Sequence, residues 1–215
     1  AVKNCRKLGV EHMVTSFKDL FGIKLDELVK MIQEKKRAKG GLTPCAYCGV
    51  LRRRALNVAA RESGVDKLAT AHNLDDEAQT ILLNMVHGDT LRIARVKPLL
   101  SERHAKLVQR AKPLCEVPEK EIAFYAYLRH IEFQGVPCPY ASTALRNDIR
   151  VMLNRMEEKH AGIKFTLLKS VERIRPALER MSEEVKLREC RFCGEPTVDD
   201  ACKPCLMLRE LNVIC

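Results

Sequence analysis

Four of the five cysteines in the last thirty residues constrain the fold more than any other feature of the chain. Cys190 and Cys193 form one Cys-x2-Cys pair, eight residues follow, and Cys202 and Cys205 form a second pair. Thiolates at this spacing typically bind one zinc ion tetrahedrally and leave no open coordination position. A segment this short cannot bury a hydrophobic core of its own, so the metal takes the place of one. We therefore predict a structural zinc-binding module over residues 186–215.

Another Cys-x2-Cys pair, Cys45 and Cys48, lies in a predicted turn ahead of three consecutive arginines, Arg52–Arg54. Two thiols on a tight turn can share one soft metal ion, and the arginines supply positive charge for an anion. The same spacing also occurs in zinc knuckles, in dithiol redox pairs and in iron–sulfur clusters. The pair alone thus predicts a reactive sulfur site without fixing its type.

Prolines flank Cys138 on both sides. They restrict the backbone and exclude helix, so we expect this thiol on a stiff loop. A third thiolate beside Cys45 and Cys48 would complete a three-cysteine site, which on a four-iron cluster would leave one iron open. Spacing alone does not establish that the three thiols converge. Cys115, which has no cysteine nearby in the sequence, is interpreted as a buried structural thiol.

Alternating apolar segments predict an α/β domain over residues 1–142. The predicted strands are Val10–Phe17, Asp66–Ala71 and a last one near Arg110–Leu114. The predicted helices lie around Leu25–Ile32, over Val50–Ser63, over Ala78–Val86 and from Pro118 onward. Helix–strand units in succession are typical of a parallel sheet, in which the strand Asp66–Ala71 would be buried.

Polar side chains follow the strand Asp66–Ala71, namely His72, Asn73, Asp75 and Asp76. Ligands of open parallel sheets bind beyond the carboxyl ends of the strands, so a nucleotide or substrate is expected here. Adjacent carboxylates can hold Mg²⁺ on a phosphate or transfer a proton. Alternatively, Asn73 or Asp75 can cap the next helix and acidic residues in its first turn favour the helix dipole, and spacing alone favours this capping interpretation.

Residues 143–185 are predicted to form a helical extension. An amphipathic helix over Ala144–Lys159 carries an apolar stripe that we interpret as core. The stripe consists of Leu145, Ile149, Met152, Leu153 and Met156. A second helical segment follows over Phe165–Met181.

Charge and composition restrict the partners. The chain has 38 Lys and Arg against 28 Asp and Glu, a net charge of +10, so a polyanion such as RNA is a plausible partner. With no Trp and 5% aromatic residues, phosphate contacts would have to outweigh base stacking. No apolar run approaches the roughly 20 residues of a membrane helix. The ten cysteines favour metal or catalytic sulfur in the reducing cytoplasm over a disulfide framework.

Four sequence features together resemble one group of enzymes. They are Cys45-Ala46-Tyr47-Cys48-Gly49 with Arg52–Arg54, the segment Ala71–Ala78, Cys138-Pro139-Tyr140 and the C-terminal cysteine pairs. Over nearly its whole length the chain is similar to the tRNA 2-thiouridine synthetases of the PP-loop adenine nucleotide α-hydrolase superfamily. That group contains the archaeal and eukaryotic cytoplasmic wobble-uridine thiolases and the thermophile T-loop thiolase.

This resemblance implies a HUP-like, Rossmann-like α/β domain with a five-stranded parallel sheet, here incomplete at its N-terminus, and a zinc-ribbon-like C-terminal module. The implied reaction is ATP-dependent thiolation of a tRNA uridine, in which C2 is adenylated and its oxygen is then replaced by sulfur. The implied cofactors are a 4Fe-4S cluster, Zn²⁺ and, in the full-length protein, ATP with Mg²⁺. The implied partners are tRNA, a sulfur donor that is sulfide or a ubiquitin-like sulfur carrier, and a second copy in a homodimer.

The resemblance also assigns roles to residues. Cys45, Cys48 and Cys138 match the three cluster ligands, and Cys45 and Cys138 with Asp76 form the predicted catalytic set. Four further residues are predicted to contact the cofactor or substrate: His72, Asn73, Asp75 and Arg52. A persulfide on one of the three cysteines, without a cluster, is the competing mechanism.

The sequence differs from the family pattern in the segment that binds ATP. Family members carry a Ser-Gly-Gly-x-Asp-Ser loop that holds ATP phosphates, usually with another zinc finger ahead of it, and this sequence contains neither. We therefore expect a fragment that does not bind ATP normally. The alternatives are thiolation of the T-loop uridine, a non-catalytic zinc-dependent tRNA-binding module, and a different PP-loop enzyme such as a lysidine synthetase or cytidine thiolase.

Overall fold

Ten helices and four short strands lie within residues 1–39, 42–100, 104–140, 145–181 and 186–213, which the computed structural model describes; side chains 36–39 are outside the description. The helices are α1 (Val2–Leu8), α2 (Phe17–Phe21), α3 (Leu25–Lys39), α4 (Pro44–Glu62), α5 (Leu74–Val86), α6 (Thr90–Ile93), α7 (Glu119–Leu128), α8 (Leu145–Lys159), α9 (Ile163–Met181) and α10 (Lys203–Glu210). The strands are β1 (Lys67–Ala69), β2 (Gln109–Ala111), β3 (Arg188–Glu189) and β4 (Pro196–Thr197). The predicted helix start at Ala144 lies outside the described residues. No described helix is long and apolar enough to cross a membrane.

The chain divides into two compact units. The first consists of Ala1–His12, Ala69–Leu100 and Arg110–Glu184, and the second consists of Met13–Leu68, Ser101–Gln109 and Val185–Cys215. Each unit is thus assembled from segments that are far apart in the sequence. The predicted domain boundaries after residues 142 and 185 stay a prediction.

Helices α5, α8 and α9 form the core of the first unit. Its buried apolar side chains are Leu74, Ala78, Ile81, Ile93, Val96, Ile149, Leu153, Leu168 and Val171. From the predicted stripe on α8, Ile149 and Leu153 are buried, but Leu145, Met152 and Met156 are 43%, 46% and 39% exposed. The prediction of a full core stripe is therefore wrong for these three residues, because only one narrow line of α8 packs against Ala78.

Helices α3, α4 and α10 form the core of the second unit. The buried side chains come from all three helices and include Leu28, Ile32, Tyr47, Leu51, Met207, Leu208 and Leu211. The helical spacing of Leu28 and Ile32 correctly predicted an inward face on α3. Helix α10 begins at Lys203 and contains Cys205, so the cysteine-rich segment is packed against α4 through the apolar residues that follow this cysteine.

The strands are shorter than predicted. Strands β1 and β2 pair in one two-stranded sheet and β3 pairs antiparallel with β4 in another, so the described residues do not contain a five-stranded sheet. Strand β1 is largely exposed, and its prediction as a buried strand is wrong. The predicted strand Val10–Phe17 is also absent from the described residues. Instead, Ser16 and Asp19 form a capping box that begins helix α2 at Phe17.

Candidate metal centre and acidic site

Cys190, Cys193, Cys202 and Cys205 come together in the second unit. Their sulfur atoms all lie within 4.8 Å of one another, and the Sγ atoms of Cys193 and Cys202 are 3.5 Å apart. Four thiolates about 2.3 Å from a central zinc ion are roughly 3.8 Å apart, so the arrangement fits a tetrahedral Zn²⁺ site. The predicted set of ligands is therefore brought together, and the identity of the metal as zinc stays a prediction.

The backbone around the first cysteine pair favours anionic sulfur. Burial acts to raise the pKa of Cys190, but N–H groups of Cys202, Phe192 and Cys193 donate to its sulfur and lower that pKa to about 6. Gly194 closes the turn with φ of 66°, in the left-handed region that glycine adopts at little cost. Burial raises the pKa of Cys202 to about 11. Since metal ligands must be deprotonated, a bound cation would compensate for the burial of this thiolate.

Arg54 contacts this cysteine cluster. Its Nη1 atom lies 3.0 Å from the Sγ of Cys193 and 3.6 Å from the Sγ of Cys202. The prediction that Arg52–Arg54 all face anionic substrates is therefore wrong for Arg54, because its guanidinium is directed at the thiols. Arg53 Nε donates to the carbonyl of Gly49 at 3.0 Å, and Arg52 is exposed.

Cys45 and Cys48 lie in the first turn of α4 rather than in a turn ahead of it. The helix begins at Pro44, and proline is favoured at the first helical position, where its missing N–H is not needed. Residues three apart on a helix share a face, so both thiols are on one side of α4. The helix begins after Thr43, whose side chain makes no capping hydrogen bond. Cys45 and Cys48 are both half-buried.

Cys138 belongs to the first unit, where it is exposed and lies just before a turn at Pro139 and Tyr140, whereas Cys45 and Cys48 belong to the second unit. The convergence of these three thiols on one cluster therefore stays a prediction. Cys115 is 6% exposed, which confirms that it is a buried thiol, and burial raises its pKa.

The segment after β1 forms a capping box at the start of α5. Asp76 N–H donates to Asn73 Oδ1 at 2.9 Å, and Asn73 N–H donates to Asp76 Oδ2 at 3.3 Å. The capping interpretation is thus confirmed for Asn73, and its partner in the box is Asp76 rather than Asp75. It does not exclude chemistry at Asp76, because the side chain of this residue is 36% exposed and its Oδ1 atom lies outside the box.

Each of three consecutive carboxylates in the first turn of α5 pairs with a different basic residue. Buried Asp75 pairs with Lys164 of α9 and also accepts a hydrogen bond from the backbone N–H of Glu119 at 2.7 Å. Asp76 Oδ1 lies 3.5 Å from Arg146 of α8. Glu77 accepts two hydrogen bonds of 2.8 Å from Lys112, which follows β2. These contacts give Asp75 a structural role, and its contact with a cofactor stays a prediction.

The sequence interpretation missed these basic residues. Arg146 also donates to Gln79 Oε1 at 3.2 Å and to Thr80 Oγ1 at 2.8 Å, so it spans the first two turns of α5. No local spacing signals such contacts, because their partners are 35 to 89 residues apart.

His72 lies beside this acidic turn. Its Nδ1 atom is 2.9 Å from Thr70 Oγ1. Desolvation lowers the pKa of His72, although the carboxylates of Asp76 and Glu77 act in the opposite direction. The imidazole is therefore neutral near pH 7, where it can either accept or donate a hydrogen bond.

Comparisons with known proteins agree with these features. Residues 6–157 match the PP-loop domain family. The chain is 36% identical to "tRNA 2-thiolation protein NcsA" of Haloferax volcanii over 99% of its own length and 67% of that protein. It is 33% identical to "tRNA-5-methyluridine(54) 2-sulfurtransferase" of Pyrococcus horikoshii over 99% of its own length and 66% of the relative.

A solved structure shows the same fold. It is described as "U34-tRNA thiolase NcsA from Methanococcus maripaludis with its [4Fe-4S] cluster" and superposes with a TM-score of 0.77 at 33% identity. The match covers 98% of this chain and 63% of that one, so the chain spans about two thirds of the length of the proteins it resembles. The predicted α/β PP-loop fold with a cysteine-rich C-terminal module is confirmed by these matches. The chain belongs to the PP-loop domain family, in the group that includes the tRNA 2-thiolation proteins.

Proposed function

We propose that the protein is a tRNA-uridine 2-sulfurtransferase that acts on the wobble uridine. The observation that carries this proposal is the match to a U34-tRNA thiolase, which extends over 98% of the chain at 33% identity and includes its fold. Because the chain spans only part of the length of its relatives, the proposal concerns the whole protein to which this chain belongs.

The chemistry starts from an unreactive carbonyl. The C2 oxygen of the uridine attacks the α-phosphate of ATP, pyrophosphate leaves, and the oxygen becomes part of a good leaving group. Sulfide then adds at C2, and AMP departs with the original oxygen. Sulfur enters and leaves this sequence as S(−II), so no external reductant is required. The phosphate-binding loop that this step needs is expected in the whole protein rather than in this sequence.

Cys45, Cys48 and Cys138 would hold a 4Fe-4S cluster. Their chemistry fits, because thiolates are the usual ligands of such clusters and the first two share one helix face. The positive end of the α4 dipole also favours the negative charge of a thiolate-bound cluster. When bound through three cysteines, the cluster offers one iron to which the incoming sulfur can bind.

Asp76 is the proposed acid–base residue of the site. Its Oδ2 atom is fixed by the capping box and its Oδ1 atom faces Arg146, so the carboxylate has a defined orientation at the exit of β1. His72 and Asn73 border it, and Arg52, an exposed residue of α4, is proposed to contact anionic substrate. A carboxylate in this position can move a proton as sulfide attacks or hold Mg²⁺ on the nucleotide.

The proposed partners follow from the charge and the reaction. The net charge of +10 favours tRNA through phosphate contacts. The sulfur donor is proposed to be sulfide or a ubiquitin-like sulfur carrier, and the protein is proposed to work as a homodimer in the cytoplasm.

A second candidate is thiolation of uridine 54 by the same chemistry. It is supported by the Pyrococcus horikoshii relative, which is 33% identical over 99% of this chain and is named for position 54. Mass spectrometry of tRNA nucleosides from cells lacking the gene separates the two candidates. Loss of the 2-thio group at position 34 is expected, loss at position 54 would support the second candidate, and intact thiolation at both positions would overturn both.

The cluster is tested separately from the substrate. Anaerobic reconstitution of the full-length protein, followed by iron counting and electron paramagnetic resonance, should show a four-iron centre in the wild type and in the control variant Cys5→Ser. Cys138→Ser should lose it. A full four-iron centre in Cys138→Ser would contradict the ligand assignment, and thiolation by iron-free wild-type protein would favour the persulfide mechanism.

A further inference from the structure

One face of helix α4 is directed entirely at the cysteine-rich segment and the loop beside it. Arg54, Asn57 and Arg61 lie three and four residues apart and therefore share this face. The Asn57 amide donates to Lys106 O at 2.9 Å, and its oxygen accepts from Val108 N–H at 3.0 Å. Arg61 forms a 2.6 Å ion pair with Glu195, between the two cysteine pairs.

Arg54 is the member of this face that reaches the sulfur atoms. It contacts Cys193 Sγ at 3.0 Å and Cys202 Sγ at 3.6 Å, so a single guanidinium nitrogen bridges the first and second cysteine pairs. Arg53, its neighbour on the same helix, instead donates to Gly49 O within α4. Arg54 is thus the arginine of this run whose guanidinium contacts Cys193 and Cys202.

The charge of the centre explains why a cation is placed here. Four thiolates around one divalent ion carry a formal charge of −2, and Cys190, Cys202 and Cys205 are each less than 5% exposed. Burying uncompensated charge is costly, and a hydrogen-bonded cation lowers that cost. An N–H donor also draws electron density from the sulfur and makes it a poorer nucleophile.

We propose that Arg54 is a functional part of the four-cysteine metal centre. It compensates the negative charge of the thiolates, slows loss of the metal, and protects Cys193 and Cys202 from alkylating and oxidising reagents. The arginine run behind Cys48 thus serves the four-cysteine centre as well as any anionic substrate. This role is independent of the proposed tRNA thiolation.

The test compares three variants of the full chain loaded with zinc. Arg54→Met removes the charge and the donors, Arg54→Lys keeps the charge but not the planar guanidinium, and Arg53→Met is the matched control one residue away. Zinc affinity is measured by competition with a chromogenic chelator. Arg54→Met should bind zinc about 10-fold or more weakly than wild type, as is typical when a hydrogen-bond partner of a metal ligand is removed. The zinc affinity of Arg54→Lys should lie between that of Arg54→Met and that of wild type, and the zinc affinity of Arg53→Met should match wild type.

A spectroscopic readout separates a contact to sulfur from a general effect on folding. With Co²⁺ in place of zinc, the sulfur-to-cobalt charge-transfer band should move to lower energy in Arg54→Met, because sulfur without an N–H donor gives up electrons more readily. Wild-type zinc affinity together with an unchanged band would overturn the proposal. If Arg54→Met does not fold, zinc affinity and the position of the cobalt charge-transfer band are measured on Arg54→Lys instead. Wild-type values for both in Arg54→Lys would also overturn the proposal.

Discussion

Asn73 and Asp76 cap helix α5 reciprocally, each accepting a hydrogen bond from the backbone N–H of the other. This relationship allows the capping role of Asp76 to be separated from its proposed chemical role. An asparagine at position 76 keeps an oxygen that can accept from Asn73 N–H but loses the negative charge. An alanine loses both.

We expect Asp76→Asn to remain close to wild type in stability but to lose at least 100-fold in thiolation, the lower range for a general acid or base. Asp76→Ala should lose activity equally and also about 1 kcal/mol of stability. Single-turnover thiolation and urea denaturation of the full-length protein measure the two effects. The control is Asp66→Asn, which changes an exposed aspartate before β1. Wild-type activity in Asp76→Asn would show that Asp76 only caps the helix and takes no part in the reaction.

The buried pair Asp75–Lys164 is predicted to be essential for the stability of the first unit. Lys164→Met leaves the Asp75 carboxylate buried without its cation, which should cost about 3 to 5 kcal/mol in the free energy of unfolding. Lys169→Met, at an exposed position on the same helix, should change stability by about 0.5 kcal/mol or less.

Replacing both partners of that pair provides a second check. The double variant Asp75→Leu with Lys164→Met removes both charges, so its loss of stability should be smaller than that of Lys164→Met alone. Denaturation by urea at pH 7 measures all four proteins. A Lys164→Met variant as stable as Lys169→Met would show that the pair does not matter.

Glu157 should make the stability of the α8–α9 connection depend on pH. Partial burial acts to raise the pKa of Glu157, but the N–H groups of Gly162 and Lys164, which donate at 2.7 and 3.0 Å, outweigh it and lower the pKa below 4.5. A lowered carboxyl pKa stabilises the folded state above the unfolded pKa, and this stabilisation is lost as pH falls through the folded pKa.

Glu157→Gln should therefore be less stable than wild type by about 1 to 2 kcal/mol at pH 7, and the difference should shrink toward zero below pH 4. Glu158→Gln, at the exposed neighbouring position, should show no such trend. Chemical denaturation at pH 7, 5 and 3.5 gives the comparison. If the difference in free energy of unfolding between Glu157→Gln and wild type is the same at every pH, the ionised Glu157 carboxylate does not stabilise the connection.

Removal of the metal from the four-cysteine centre should loosen the second unit selectively. Met207 and Leu208 of α10 follow Cys205 and pack in the core with Leu51 of α4, so loss of the metal should release α10 from that core. After chelation, hydrogen exchange followed by mass spectrometry should show lost protection in α10 and α4. Protection in α5 and α9 should remain, and added zinc should restore the protection of α10 and α4. Uniform loss of protection in both units would contradict this prediction.

Much of the candidate site could be predicted because its signals are local. The two cysteine pairs of the metal centre lie within 16 residues, and their spacing alone fixes the ligand set. The polar turn after β1 was similarly evident from consecutive residues. By contrast, the contact of Arg54 with Cys193 spans 139 residues, and no spacing rule reports on it.

The errors at secondary-structure boundaries have physical causes. Val10–Phe17 is apolar enough to suggest a strand, but Ser16 and Asp19 supply a capping box that begins a helix inside that segment. Helix α4 was expected to begin at Val50, although Pro44 is well suited to the first position of a helix. In both places the capping residues were better predictors than the apolar pattern.

Helix α4 sets the distance between the cysteine pair Cys45 and Cys48 and Arg54, which contacts the four-cysteine cluster. Cys45 and Arg54 are nine residues apart, which corresponds to about 13.5 Å along an α-helix. Inserting one residue between Cys48 and Arg54 would rotate the two ends by about 100° relative to each other. One end would then lose its partners, so this stretch should tolerate substitutions at the exposed positions Arg52 and Arg53 but no change in length.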